Sequence, residues 1–170
     1  MTVAASGILS APIDALAALV AASTTFQSWT GTASAAAALA YCYKAEVGQI
    51  DGSTWKRPFA RIGQSEEFEV QRGGYGLGVL VLDFEAAVSA DYQEGGASEN
   101  DFVSALYEFT NKVGAIIADV RTGSEGSAAL IVTAITMVVQ PQRPREEVLG
   151  GAKDDYFWCR FAVHFGLPIP

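Results

Sequence analysis

The apolar residues in the C-terminal part of the chain change their spacing from helical to strand-like. In residues 101–121 they recur every three or four positions, which predicts an amphipathic helix of about five turns. Residues 130–140 form a nearly continuous β-branched run, which predicts a strand that is central in a sheet or buried on both faces. Residues 157–165 alternate apolar and polar positions, which predicts a strand with one buried face.

The N-terminal half predicts a helix and a long β-hairpin. Four apolar residues share one face of the first helix: Ile13, Leu16, Leu19 and Val20. Residues 41–47 alternate like a half-buried strand, and residues 58–88 read as two strands joined by a glycine-rich turn. We therefore predict the α+β class, with a mixed, mostly antiparallel sheet that contains the hairpin. This sheet is expected to pack against the N-terminal helix and the 101–121 helix in a single domain, residues 1–170, with 1–9 as a loose arm.

The composition favours a folded, acidic protein that has a partner. Hydrophobic residues make up 50% of the chain and charged residues 18%, which argues against disorder and suggests that a partner covers some apolar surface. The net charge is −8 and the basic residues are scattered. This pattern disfavours DNA wrapping but suits an acidic passage through which DNA slides. No apolar run approaches the roughly 18 residues of a transmembrane helix, so we predict no membrane partner.

Few residues of the chain are equipped for catalysis. His164 is the only histidine, and no carboxylate stands near it at the spacing of a catalytic triad or a zinc site. The glycine-rich residues 73–78 lead into a strand, whereas a phosphate-binding loop needs a following helix. Cys42 and Cys159 are predicted to be buried, reduced thiols. We therefore predict no catalytic residue, no metal site and no cofactor.

An acidic run lies in the hairpin at Glu66, Glu67 and Glu69. Paired carboxylates can serve a glycosidase or bind a cation, but no other residue supports either activity. We expect a solvated acidic edge, at the surface or lining a lumen. An enzyme or small-ligand binder that uses this edge, or the glycine-rich turn at 73–78, stays as an alternative.

Two segments with basic residues are candidate subunit interfaces. Trp55, Arg57 and Phe59 place aromatic rings beside a cation, an arrangement found both in base stacking and in protein interfaces. The negative net charge favours the interface. Arg143 and Arg145 follow the predicted strand at 130–140 and are expected to project toward the carboxylates of a neighbour.

The order of these elements and three short phrases resemble a known family. The phrases are FQSWTG at residues 26–31, RPFA at 57–60 and FWCRFAVHFGL at 157–167. They resemble the small tail-terminator and neck (tail-completion) proteins of long-tailed bacteriophages and prophages, the group of the lambda tail terminator. The resemblance covers residues 10–167 and contains no catalytic motif.

This resemblance implies a structural protein that forms a ring and is not an enzyme. The ring, commonly hexameric, would cap the tail tube and join it to the head connector, and DNA would pass through without specific binding. The partners would be further copies of the chain, the tail tube protein and the connector or adaptor protein. The protein would be located in the virion, in the tail or neck, after assembly in the host cytoplasm. A tail-tube or head-completion subunit is the alternative within the same class.

Overall fold

The computed structural model describes residues 10–44, 56–71, 75–87, 99–125, 127, 130–142, 148–149, 152–153 and 156–168. These residues form the helices α1 (Ser10–Ala22), α2 (Thr24–Thr30), α3 (Ala35–Ala38) and α4 (Glu99–Ser124). A 3-10 helix, Leu39–Tyr41, follows α3 directly. None of these helices combines the length and the apolarity that crossing a lipid bilayer requires.

Strands make up much of the rest of the described chain. They are β1 (Cys42–Lys44), β2 (Phe59–Gln71), β3 (Tyr75–Ala87), β4 (Ile131–Gln142), β5 (Val148–Leu149), β6 (Ala152–Lys153) and β7 (Tyr156–Pro168). A five-stranded sheet has the order β1-β2-β3-β7-β4, and β5 pairs separately with β6. In the larger sheet β1 is parallel to β2, and all other neighbours are antiparallel. The predicted α+β class, the mixed sheet and the hairpin formed by β2 and β3 are thereby confirmed.

The hydrophobic core lies between one face of this sheet and the helices. Alternate residues of β3, Leu80, Leu82 and Phe84, point into it because successive side chains of a strand point to opposite faces. The long helix α4, which has 26 residues, contributes Phe109, Val113, Ile116 and Val120 at helical spacing. The ring of Phe109 lies 5.7 Å from that of Phe157 in β7. The amphipathic pattern at 101–121 therefore correctly predicted the helix that covers the sheet.

The N-terminal helices are held to α4 by close contacts. Ser23 caps α2: its hydroxyl accepts a hydrogen bond from the Phe26 N–H at 3.3 Å and donates one to the Asp119 carboxylate of α4 at 2.6 Å. Gly123 lies in the last turn of α4, where an added Cβ would come within 3.0 Å of Leu19 Cδ2 in α1. The missing side chain of this glycine lets α1 and α4 approach each other closely.

The other face of the sheet carries no helix from the described part of the chain, and we call it the helix-free face. It is defined by residues that alternate with the core positions: Arg61 and Glu69 of β2, Asp83 of β3, Arg160 and His164 of β7, and Ala134 and Thr136 of β4. The face also carries apolar residues, Val79 and Val81 of β3 among them. In β7, Arg160 and His164 on this face alternate with Phe161 and Val163 on the core side.

The β4 strand lies at the edge of the five-stranded sheet. The prediction of a central strand, or of one buried on both faces, is therefore wrong. Among the described residues β4 pairs with β7 alone, and its side chains are largely exposed. The β-branched run indicated strand propensity and apolarity correctly, but these two properties do not distinguish an edge strand from a central one.

Candidate functional site

Three charged side chains lie in one row across the helix-free face. The strand register places Arg61 opposite Asp83, and Asp83 opposite Arg160. Arg61 Nε donates to Asp83 Oδ2 at 2.9 Å, and its Nη2 makes a second, very short contact with the same oxygen. From the other side Arg160 Nε donates to Asp83 Oδ1 at 2.7 Å and its Nη2 to Oδ2 at 3.0 Å. One carboxylate therefore joins β2 to β7 through β3.

The Asp83 carboxylate is enclosed by its two partners. The residue is 5% exposed, although it lies on the face without helices. The side chains of Arg61 and Arg160 are 22% and 36% exposed, so they cover the carboxylate and keep part of their own hydration. The hydrogen bonds to Asp83 raise the pKa of Arg160 above its ordinary value. Both carboxylate oxygens are already occupied by cations, so this row locks the strand register and is a poor general base.

A second ion pair with aromatic neighbours lies beside this row. Arg57 Nε donates to Glu85 Oε1 at 2.5 Å, and its guanidinium carbon stands 4.7 Å from the centroid of the Tyr156 ring. Phe59 is 3% exposed, and its ring packs edge-on against Tyr43 with centroids 5.5 Å apart. Arg57 and Phe59, both predicted to be interface residues, are thus engaged within the subunit. The exposed side of Arg57 is what a partner can reach, and its interface role stays a prediction.

Several other predicted positions lie outside the described residues. These are Trp55, Arg143 and Arg145, together with the side chains of Glu66 and Glu67. Glu69 is exposed on the helix-free face, opposite Leu77 of β3. Its exposure agrees with the expected solvated edge for this one residue. The register of the hairpin shifts between Gln64 and Phe68, which marks a bulge or irregularity in β2.

The outer edge of β4 is the most unusual surface in the described part of the chain. This strand of 12 residues carries no charge, and three of its apolar side chains are well exposed: Ile131 at 42%, Met137 at 46% and Val138 at 58%. Proteins normally protect an edge strand with charges, helices or loops, because its unpaired N–H and C=O groups are a template for another strand. Register shifts along β4 and Pro141 near its end are the protective features that this edge does have.

The described residues bring few chemically reactive groups together. They contain no cluster of three or more His, Cys, Asp or Glu side chains that could hold a metal ion. His164 lies between Val79 and Ala134 on the helix-free face. Cys42 and Cys159 are free and buried, and burial raises the pKa of each thiol to about 12. Such thiols are poor nucleophiles near neutral pH, and the prediction of buried, reduced cysteines is confirmed.

Sequence reasoning missed both the row at Asp83 and the exposed edge of β4. One signal for the first was available: Asp83 is a carboxylate in an otherwise apolar strand, and such a residue needs a cationic partner when it is buried. The alternation pattern places Arg160 on the polar face of its strand, but the pairing of β3 with β7 is not visible in the sequence. For β4 the missing information was the strand order.

Two comparisons with known proteins found no match. No protein-family model matches the chain. A search of curated proteins found no match either. The function therefore has to be inferred from the fold and its surfaces.

Proposed function

We propose that this protein is a structural subunit of a ring in the tail or neck of a long-tailed bacteriophage. Such a ring acts as a tail terminator: it caps the tail tube and joins it to the head connector. The protein is then located in the virion, after assembly in the host cytoplasm, and it catalyses no reaction. The resemblance in residues 26–31, 57–60 and 157–167 supplies the specific role. The exposed edge of β4 supplies the physical argument for assembly.

The β4 edge carries this proposal because it combines exposed apolar side chains with outer backbone groups that pair with no strand of the described part of the chain. Val138 is 58% exposed and Met137 46%, and no charged residue interrupts the strand. A subunit that stayed alone would keep this edge as an aggregation site. A subunit that assembles covers it, so the same residues become a specific contact. The exposure of β4 is therefore better explained by a partner than by a free monomer.

The charge distribution supports a passage for DNA through the ring. The chain has a net charge of −8, and Glu69 is exposed on the hairpin. Acidic walls repel the phosphate backbone, so DNA moves past them without being held. Glu66, Glu67 and Glu69 are the candidates for the acidic outer surface or for the wall of the lumen.

Native mass spectrometry and electron microscopy of the purified protein test the ring. We expect one closed ring of defined stoichiometry, alone or on the ends of added tail tubes. Open stacks of the protein would instead identify a tail-tube subunit. A monomer at high concentration that also fails to bind tail tubes would refute assembly altogether.

A charge placed on β4 tests the surface that carries the argument. Val138→Lys puts an ammonium group on the exposed edge, and we expect it to weaken assembly at least tenfold because the lysine must be desolvated in the interface. Tyr107→Lys is the matched control, since Tyr107 is 64% exposed on α4 and is not part of the sheet. Equal effects of the two variants would show that β4 is not the assembly surface.

A further inference from the structure

We propose that β4 of one copy pairs in antiparallel fashion with the outer edge of β2 in the next copy, so that the sheets join head to tail. This inference rests on the proposed ring and names the two strands that make the contact. It assigns β4 as one half of a heterologous interface and residues 63–71 of β2 as the other half. The partner is a second copy of this chain.

The chemistry of β4 requires an extended partner. Its inner edge is bonded to β7, and its outer N–H and C=O groups face away from the sheet. These groups alternate along the strand and are best satisfied together by a second strand. A helix or a globular surface that covered Val138 and Met137 would exclude water and leave the outer backbone groups unpaired.

The chain itself offers a second strand edge with which β4 of another copy can pair. Among the described residues β1 pairs with β2 only from Ala60 to Ile62. The β2 strand continues to Gln71, and its residues 63–71 have β3 on one side and no described strand on the other. Among the strands that the structure describes, this part of β2 is therefore the second edge at which another copy can add a strand.

Strand direction favours the head-to-tail arrangement. Within one sheet β4 is antiparallel to β7, β7 to β3, and β3 to β2, so β4 and β2 run in opposite directions. When a second copy is placed beside the first in the same orientation, its β2 meets β4 in the antiparallel sense, which is the slightly more stable kind of pairing. Repetition of such a contact closes into a ring when the rotation per subunit allows it.

The two symmetric alternatives are less favourable. A β2–β2 contact would bring the Glu66, Glu67 and Glu69 segments of two copies together, and like charges across strands repel. A β4–β4 contact has no such repulsion, but it leaves both β2 edges uncovered and ends at a dimer. Of these three contacts, the one between β4 and β2 covers both of the edges that the described strands leave open.

Cross-linking of two variants, each with one added cysteine, tests the assignment. Ala134→Cys and Glu69→Cys place thiols on exposed positions of β4 and β2, both on the helix-free face of the sheet. The native Cys42 and Cys159 are buried, so they do not compete for a bis-maleimide with a long flexible spacer. One variant carries a mass tag, and the two are mixed under conditions that exchange subunits. We expect cross-linked dimers in the mixture and none with either variant alone.

The outcomes separate this inference from the proposed ring. Dimers of the Ala134→Cys variant with itself would show a β4–β4 contact and overturn the head-to-tail pairing. Native mass spectrometry is run on the same samples: a ring without mixed cross-links also overturns the pairing but leaves the ring intact, whereas a monomer overturns both. Mixing Tyr107→Cys with Glu69→Cys is the control, since Tyr107 lies on α4, and it should yield no dimer.

Discussion

Replacing Asp83 with asparagine removes the charge that holds β2, β3 and β7 together and keeps the side chain nearly unchanged in size. The Asp83 side chain is 7% exposed, and it accepts hydrogen bonds from Arg61 and Arg160. Breaking a buried ion pair by removing one partner costs about 3–5 kcal/mol. The two arginines are 22% and 36% exposed, so water recovers part of the loss. We expect Asp83→Asn to lower the free energy of unfolding by about 2–3 kcal/mol.

The assay is thermal and urea unfolding followed by circular dichroism at one fixed subunit concentration, because assembly itself changes apparent stability. For a chain of this size the expected loss lowers the melting temperature by roughly 4–12 °C. Asp14→Asn is the control. Its partner is Lys44, and the two side chains are 49% and 52% exposed, so we expect a loss of at most about 0.5 kcal/mol. If Asp83→Asn loses no more than Asp14→Asn, the argument that the buried carboxylate locks the sheet is refuted.

Two further predictions concern the helical layer and the thiols. Ser23→Ala removes the cap of α2 together with the hydrogen bond to Asp119, and urea unfolding should show that the free energy of unfolding falls by about 1–2 kcal/mol. Ser34→Ala removes only the exposed cap of α3 and should lower the free energy of unfolding by about 0.5 kcal/mol. Equal losses in the two variants would contradict the tertiary role of Ser23. At pH 8 Cys42 and Cys159 should react with a thiol reagent only after unfolding, because burial raises their pKa from 9.0 to about 12. Rapid labelling of the folded protein would contradict their burial. The same pKa shifts give the sign of a pH effect. The contribution of the two thiols to stability is fully present below pH 9.0 and falls as the pH rises toward about 12. The reason is that in this pH window the thiols lose their protons in the unfolded chain and keep them in the folded one.

Residue spacing predicted most of the helices and strands of this protein and, apart from β4, the faces that they bury. The helical spacing in 101–121 predicted α4, and the alternation in 157–165 predicted the buried side of β7. The strand patterns in 58–88 predicted the hairpin of β2 and β3. These features are local, because the spacing of apolar residues along one element decides which of its faces avoids water. The α+β class follows from them.

The order of the strands is set by contacts between distant segments of the chain, and the candidate site depends on that order. Asp83 and Arg160 are 77 positions apart in the chain and meet only because β3 pairs with β7 in one particular register. In the same way Phe59, which was predicted together with Arg57 to be a subunit-interface residue, is buried against Tyr43 because β1 lies beside β2. The apolar run of β4 looked like a central strand and lies at the edge. Strand propensity and apolarity are properties of a segment, whereas its place in a sheet depends on contacts with segments far away in the sequence.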